Sequence, residues 1–231
     1  MSLNNLSKQT LTIIPARGGS KRIKNKNTKK LLGKSLINWT IESALKSKYV
    51  NRVIVSTDNK KISNEAKRSG IEVPFLRPPK LSTDKAKSID LVLHAIKNIP
   101  GYEWILLLQP TSPLRTSKDI DNIFKLCFKK KALSVVSVCS VNQHPYKMFT
   151  INKNLYLKSL IKKKNKDEVR QNLPKTYITN GALYLVNISW LKKRKKFIDF
   201  DTIGYEMPPE KSVDIDTLND WYLAENILKM K

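Results

Sequence analysis

The chain has only two cysteines and two histidines in 231 residues. Cys127 and Cys139 lie in apolar runs, without metal-ligand spacing or a partner framework. That pattern excludes a disulfide scaffold and a zinc site, and it reads as buried free thiols in a reducing compartment. Glycine is also scarce, with seven residues. The glycine loop after the first apolar run has no GK[ST] ending and no G-x-G-x-x-G opening a helix, so it is neither a P-loop nor a dinucleotide fingerprint. No apolar run approaches 18 residues, and "MSLNNLSKQTLTIIPA" lacks a basic stretch followed by a long enough apolar one. A membrane span and a secretion signal are therefore not read, and a soluble, cytoplasmic protein is expected. Acidic residues are few, 19 against 44 Lys+Arg, for a net charge of +25. Such a balance favours polyanions, whether nucleotides, nucleic acid or anionic lipid, without choosing among them. Much of the excess accompanies Asn and Ile, as in AT-rich coding sequence, and reads as solvated surface.

With 40% hydrophobic residues, the chain can bury one main core, so residues 1–231 are read as a single domain. Apolar runs alternate with helical patterns through the first 140 residues, as in a three-layer α/β/α architecture. Strands are read at 11–15, 52–57, 104–109 and 133–141. The helix after residue 35 turns Leu36, Ile37, Thr40, Ile41, Ala44 and Leu45 to one face. Further helices are read at 59–69, 87–99 and 116–130, the second-last of these from Ile89, Val92, Leu93 and Ile96. Residues 142–180 change character, with short apolar pieces, the cluster "KSLIKKKNKDEVR" and Pro145 and Pro174, and read as an inserted arm. "GALYLV" resumes the core, and "TLNDWYLAENILKMK" is an amphipathic helix.

"IIPARGGSKRIKNKN" (13–27) carries two glycines among five cations directly after a strand. Glycines allow close backbone approach and expose N–H groups, while Lys and Arg neutralise charge, so the loop is either a phosphate cradle or a solvated basic loop. In "SVDIDT", an extended chain turns Asp214 and Asp216 one way and Val213 and Ile215 the other. Two such carboxylates suit Mg²⁺ together with phosphate oxygens; the alternative is that Asp216 or Thr217 caps the next helix. "LLLQPTSPLR" ends a buried strand where α/β proteins bind ligands, which places Gln109 well. Thr111, Ser112 and Arg115 are either functional or turn and cap residues. Asp58 in "VSTD" receives no role. His94 and His144 read as packing and turn residues, and the four tryptophans as core or edge packing.

These stretches, with "VPFLRPPKLSTD", "RQNLP" and "NGALYLV", resemble the cytidylyltransferases that activate nonulosonic acids, N-acylneuraminate cytidylyltransferases above all, over residues 10 to 229. The resemblance implies a Rossmann-like nucleotide-diphospho-sugar transferase fold with a mixed, mainly parallel sheet and a small inserted dimerisation arm. It implies CTP and a nonulosonic acid as substrates, pyrophosphate as leaving group, and a homodimer without specific nucleic acid or membrane partners. Arg17, Lys21, Lys26 and Asn27 would contact the nucleotide phosphates, with backbone donors from Gly18, Gly19 and Ser20. Arg77 and Ser88 would face the cytidine. Gln109, Asn180, Gly181, Ala182 and Tyr184 would form the sugar site, joined from the arm by Lys147 and Arg170. Asp214 and Asp216 would hold Mg²⁺, or Mn²⁺ in its place. Where bacterial sialic acid enzymes often carry an arginine two residues before the matching Asn, this chain has Ile178. Legionaminic acid or another deoxygenated acid is the alternative substrate, with pseudaminic acid and Kdo ranked below. A polyanion-binding or RNA-binding protein, motivated by the charge alone, is the reading from a different class.

Overall fold

Strands that are apolar at every position need cover on both faces, and helices provide it here. The structure is a computed structural model that describes residues 2–161 and 173–230. Helix α1 (Leu3–Lys8) leads into β1 (Thr10–Pro15), buried over its first five residues. After the glycine loop come the two-residue strands β2 (Lys30–Leu31) and β3 (Lys34–Ser35), then α2 (Leu36–Leu45), β4 (Arg52–Ser56) and α3 (Lys60–Arg68). The chain continues through α4 (Ser88–Asn98), β5 (Trp104–Leu107), α5 (Ser117–Lys130) and β6 (Ser134–Ser140). A hairpin of β7 (Phe149–Ile151) and β8 (Leu157–Ser159) precedes β9 (Tyr177–Asn187), α6 (Ile188–Arg194), β10 (Ile203–Glu206) and α7 (Leu218–Lys229).

The central sheet runs in the order β10-β6-β9-β5-β1-β4. β9 is antiparallel to both neighbours and the other five strands are mutually parallel, so the expected mixed, mainly parallel sheet is present. On one face, Ile14 and Leu106 pack with Ile37 and Ile41 of α2, Ile62 of α3 and Phe124 of α5. On the other, Ile13, Ile54 and Ile105 pack with Val92 and Ile96 of α4 and Leu191 of α6. A third cluster joins Ile23 of the glycine loop, Leu36, Ile215 and Trp221 of α7. It seats the two charged motifs of the sequence, far apart in the chain, on one apolar base.

Two expectations need correction. Leu45 is not on the buried face of α2: it is 57% exposed at the helix end. The arm is also shorter than read, because residues 177–180 are the first four of β9. Its described strands form the β7–β8 hairpin, exposed at every position. Arg170 lies outside the described residues.

The sequence carried no sign of the irregularity in β9. Thr179 pairs with Val138 and Tyr184 with Val136, so residues 180–183 stand opposite Ser137 alone. Gly181 takes φ +74° there, a conformation only glycine adopts without strain. Ser137 fills the gap: its Oγ donates to Asn180 Oδ1 at 2.6 Å and accepts from Leu183 N at 2.8 Å. Removing this buried hydroxyl leaves Leu183 N–H without its acceptor. Ser137→Ala should therefore lower stability by about 1–3 kcal/mol, read as a lower urea midpoint with an unchanged m-value.

Candidate active site

A cleft of about 660 Å³ opens beyond the carboxyl ends of β1 and β5, where parallel strands expose loop backbone and ligands bind. One wall is the glycine loop, and its shape has identifiable causes. Gly18 N donates to Asp58 Oδ1 at 2.9 Å, which gives the unassigned Asp58 an anchoring role. The Asn59 side chain lies so close that a Cβ on Gly18 would meet its Nδ2 at 2.5 Å. Asn27, buried, donates from Nδ2 to Arg17 O at 2.9 Å, closing the far end of the loop. Ser20 N donates to Gly18 O at 3.0 Å. The N–H groups of Gly18 and Ser20, expected as phosphate donors, are thus engaged within the chain.

The cations Arg17, Lys21 and Lys26 do line the cleft, as do Ser20 and Asn27. In this structure carboxylates hold them. Asp84 reaches Arg17 Nη1 and Lys21 Nζ, each at 2.6 Å. Asp216 reaches Lys26 Nζ at 3.1 Å and Arg22 Nη1 at 3.3 Å, and Lys26 also donates to Ile215 O at 2.7 Å. Neither Asp84 nor Arg22 stood out in the sequence, since each is one more charge in a charged stretch.

Arg77 lies deeper, 4% exposed. Its backbone N–H donates to Thr57 O at 2.7 Å, but Nε and Nη2 have no hydrogen-bond partner, and Asp58 is 4.0 Å from Nη2. Burial lowers its pKa, Asp58 opposes that, and Arg17 adds to it. Buried donors without acceptors are costly, so this guanidinium is poised for an acceptor-rich ligand in the cleft it lines with Ser88.

At the other end, Gln109 and Asp214 converge on Gly181. A Cβ there would come within 3.4 Å of both Gln109 Oε1 and Asp214 Oδ2. Ile215 N donates to Thr111 O at 2.8 Å and pins the aspartate segment to the turn after β5. Ile215 is fully buried and Val213 packs with it, so the alternation read from the sequence holds. Thr217, with Asp220, caps α7 through a reciprocal pair of hydrogen bonds, and Asp216 is not the cap. Burial raises the pKa of Asp214, the Thr111 hydroxyl opposes, and the Asp216 charge raises it further. Two neighbouring carboxylates, the pKa of one raised further by the other's charge, fit a divalent cation. No cluster of three or more His, Cys, Asp or Glu exists among the described residues, so phosphate oxygens and water would complete the shell of Mg²⁺.

Several expected sugar contacts are scaffold instead. Asn180 is buried, and its side chain is spent on Ser137, Ala182 N and Ser212. Ala182 is fully buried and offers no wall to an open pocket. Arg115 is buried and donates to Gln109 O at 3.2 Å, Ala182 O at 2.8 Å and Thr40 Oγ1 at 2.7 Å, while burial pulls its pKa down to about 9. It ties the β5 turn and the β9 bulge to α2. Tyr184 is half-buried against Phe197, with ring centroids 5.3 Å apart, and burial with the nearby Asp214 pushes its phenol pKa up. Lys147 is exposed at the end of a 3₁₀ turn, and the cleft lining does not include it.

A doubly covered, mainly parallel sheet with a basic glycine loop at the carboxyl ends of its strands defines a three-layer α/β protein with an anion-attracting cleft. Residues 11–227 match the cytidylyltransferase family, and the chain belongs to it. It is 36% identical over 225 residues to the N-acylneuraminate cytidylyltransferase of Escherichia coli O18:K1:H7, covering 96% of this chain but 52% of that protein. It is 34% identical over 227 residues to the CMP-N,N'-diacetyllegionaminic acid synthase of Legionella pneumophila, covering 95% of this chain and 96% of that protein. The pseudaminic acid cytidylyltransferase of Campylobacter jejuni is 30% identical over 96% of this chain and 97% of that one. The chain therefore spans about half the length of the E. coli relative and nearly all of the other two. A CMP:2-keto-3-deoxy-manno-octonic acid synthetase solved with CTP superposes with a TM-score of 0.73, over 96% of this chain and 99% of that one, at 15% identity, and bears out the fold. No helix among the described residues is long and apolar enough to cross a membrane.

Because Asn59 occupies the space beside Gly18, Gly18→Ala must push the loop outward and break its bond to Asp58. Calorimetric titration with inorganic triphosphate should show affinity reduced about 10-fold or more, since displacements near 1 Å are that costly in a preorganised site. The thermal midpoint should move little.

Proposed function

We propose that this chain transfers the cytidylyl group of CTP to the anomeric hydroxyl of a nonulosonic acid and releases pyrophosphate. N-acylneuraminate is the first candidate acid and legionaminic acid the alternative. The observation that carries this reading is the cleft itself: a row of loop cations on one wall, Asp216 at its end with Asp214 two residues away, and deeper in a buried Arg77 whose Nε and Nη2 have no hydrogen-bond partner. The names of the relatives supply the substrate class.

On this reading Arg17, Lys21 and Lys26 hold the β- and γ-phosphates and neutralise the charge that develops on the leaving pyrophosphate. Arg77 and Ser88 bind the cytidine. Asp214 and Asp216 would hold Mg²⁺, which when bound would supply polarisation of the α-phosphate and a lowered pKa for the attacking hydroxyl. To do so, Asp216 gives up its contacts with Lys26 and Arg22, and those cations turn to the phosphates. Gln109, Gly181 and Tyr184 border the sugar, while Asn180, Ala182 and Arg115 keep the β9 bulge in shape.

Lys147 and Arg170 complete the sugar site from the arm of a partner subunit. Support for a homodimer comes from the hairpin, where Phe149, Ile151, Leu155, Tyr156 and Leu157 are all more than half exposed. So much apolar surface on one short hairpin marks an interface, and a second copy of the chain provides a self-complementary one.

Asp216→Ala should retain the wild-type circular dichroism spectrum and lose at least about 100-fold in kcat, as expected for a group acting mainly in the transition state. Pyrophosphate release from CTP and Mg²⁺, with N-acetylneuraminic, legionaminic, pseudaminic acid and Kdo offered separately, measures both this loss and the acid preferred. Release with none of them from folded wild-type protein would sink the proposal. Separately, Ile151→Glu with Leu157→Glu should convert a dimer to monomer in sedimentation; an unchanged sedimentation coefficient would remove the hairpin from the interface.

A further inference from the structure

Asp84 closes the stretch "VPFLRPPKLSTD" but received no role from the sequence, yet it pairs with both Arg17 and Lys21. Its Oδ1 lies 2.6 Å from Arg17 Nη1 and its Oδ2 2.6 Å from Lys21 Nζ. It sits in the turn 82–87, between the 3₁₀ turn Pro79–Leu81 and α4. The turn's other polar contacts stay local: Ser82 N to Pro79 O, Ser82 Oγ to Pro78 O, Ala86 N to Thr83 O, and Asp90 N to Lys87 O. Among the described residues, the two ion pairs of Asp84 are therefore the only hydrogen bonds or ion pairs that fasten this turn across the cleft. Thr83, Asp84 and Ala86 line the same cleft as Arg17 and Lys21, and the turn runs directly into Ser88.

We infer that Asp84 is a displaceable counter-ion for the nucleotide's phosphates. It holds Arg17 and Lys21 in place while the cleft is empty, is expelled when phosphates claim those cations, and returns as pyrophosphate departs. The inference rests on the triphosphate reading of the glycine loop. A carboxylate and a phosphate cannot both occupy the same two cations without strong repulsion. Binding energy is thus partly spent on breaking the Asp84 pairs, which weakens the bound state and speeds release. Both pairs are open to water, so the exchange is easy: the Lys21 side chain is 81% exposed and that of Asp84 40%. Because the turn continues into Ser88, displacing Asp84 also shifts the wall proposed to meet the nucleoside. Phosphate arrival and nucleoside fit are thereby linked. Asp84 is a positioning residue here, since it acts through Arg17 and Lys21 and leaves the reacting atoms untouched.

The test compares wild type, Asp84→Asn and Asp84→Glu by calorimetric titration with magnesium pyrophosphate and by steady-state pyrophosphate release. The Asn variant should bind pyrophosphate about 5- to 30-fold more tightly, the range of a modest coupling between two ligands of one site. Its KM for CTP and its kcat should fall together, because slower product release becomes limiting. The Glu variant, which keeps the charge, should stay near wild type in both. A purely structural role would weaken binding in the Asn variant, and either that result or an unchanged affinity overturns the inference while leaving the cytidylyltransferase reading intact. A folded wild type that binds neither pyrophosphate nor CTP overturns both.

Discussion

Five cations on one short loop repel one another, and two aspartates from opposite walls divide four of them. Asp84 takes Arg17 and Lys21, and Asp216 takes Arg22 and Lys26. Exposed ion pairs contribute only about 0–1 kcal/mol each, so their main effect is not stability. They keep positive charge concentrated and its partners exchangeable. The restraint comes from beneath: Ile23 of the loop and Ile215 of the aspartate segment share one apolar cluster with Trp221. Asn27 and Asp58 add hydrogen bonds to the loop backbone. The backbone is held by burial and hydrogen bonds, which leaves the charges free to change partners.

The second constraint is the antiparallel strand β9. Its bulge carries Gly181 to Gln109 and Asp214, and a bulge leaves backbone groups that the ladder no longer pairs. Ser137, Asn180 and Arg115 take up those groups between them. Arg115 is buried with a charge that only hydrogen bonds and the attraction of Asp119 offset. Such a group is retained where apolar packing could not hold a turn, a bulge and a helix at once. The motif "LQPTSPLR" is thus half pocket and half scaffold: Gln109, Pro110 and Thr111 line the cleft, while Ser112 and Arg115, with Asn180 and Ala182 of "NGALY", hold them there.

Much of the fold was legible because buried parallel strands and amphipathic helices have periods that a single sequence displays. β1, β4 and β5 stand out as apolar runs, and α5 begins at the Thr116 cap with its reciprocal partner Asp119. The alternation in "SVDIDT" correctly separated its carboxylates from Val213 and Ile215. Periodicity fails where partners are distant in the chain. "STDKAKS" gives no hint that Asp84 crosses the cleft to Arg17, and "VSTD" none that Asp58 holds Gly18. Nor does composition separate Asn180 as a brace from Asn180 as a ligand, because an amide serves both uses. The family resemblance named the segments, and the geometry shows which of their side chains line the cleft and which brace it.

That division bears on which acid the proposed activity would use. The relatives named for neuraminic, legionaminic and pseudaminic acids stand at 36%, 34% and 30% identity, too even a spread for overall similarity to choose among them. On the proposed reading, the nucleotide half of the cleft is built from β1, β5 and the glycine loop, all braced within one chain. The sugar half rests on the β9 bulge and on an arm whose hairpin keeps its apolar residues exposed among the described residues. Ile178 stands at the start of β9, more than half exposed, two residues before the buried Asn180. A change there alters the approach to the bulge without disturbing its brace. Substrate choice is therefore free to vary in the part of the molecule that contributes least to the core, while the phosphate chemistry stays on the part that contributes most.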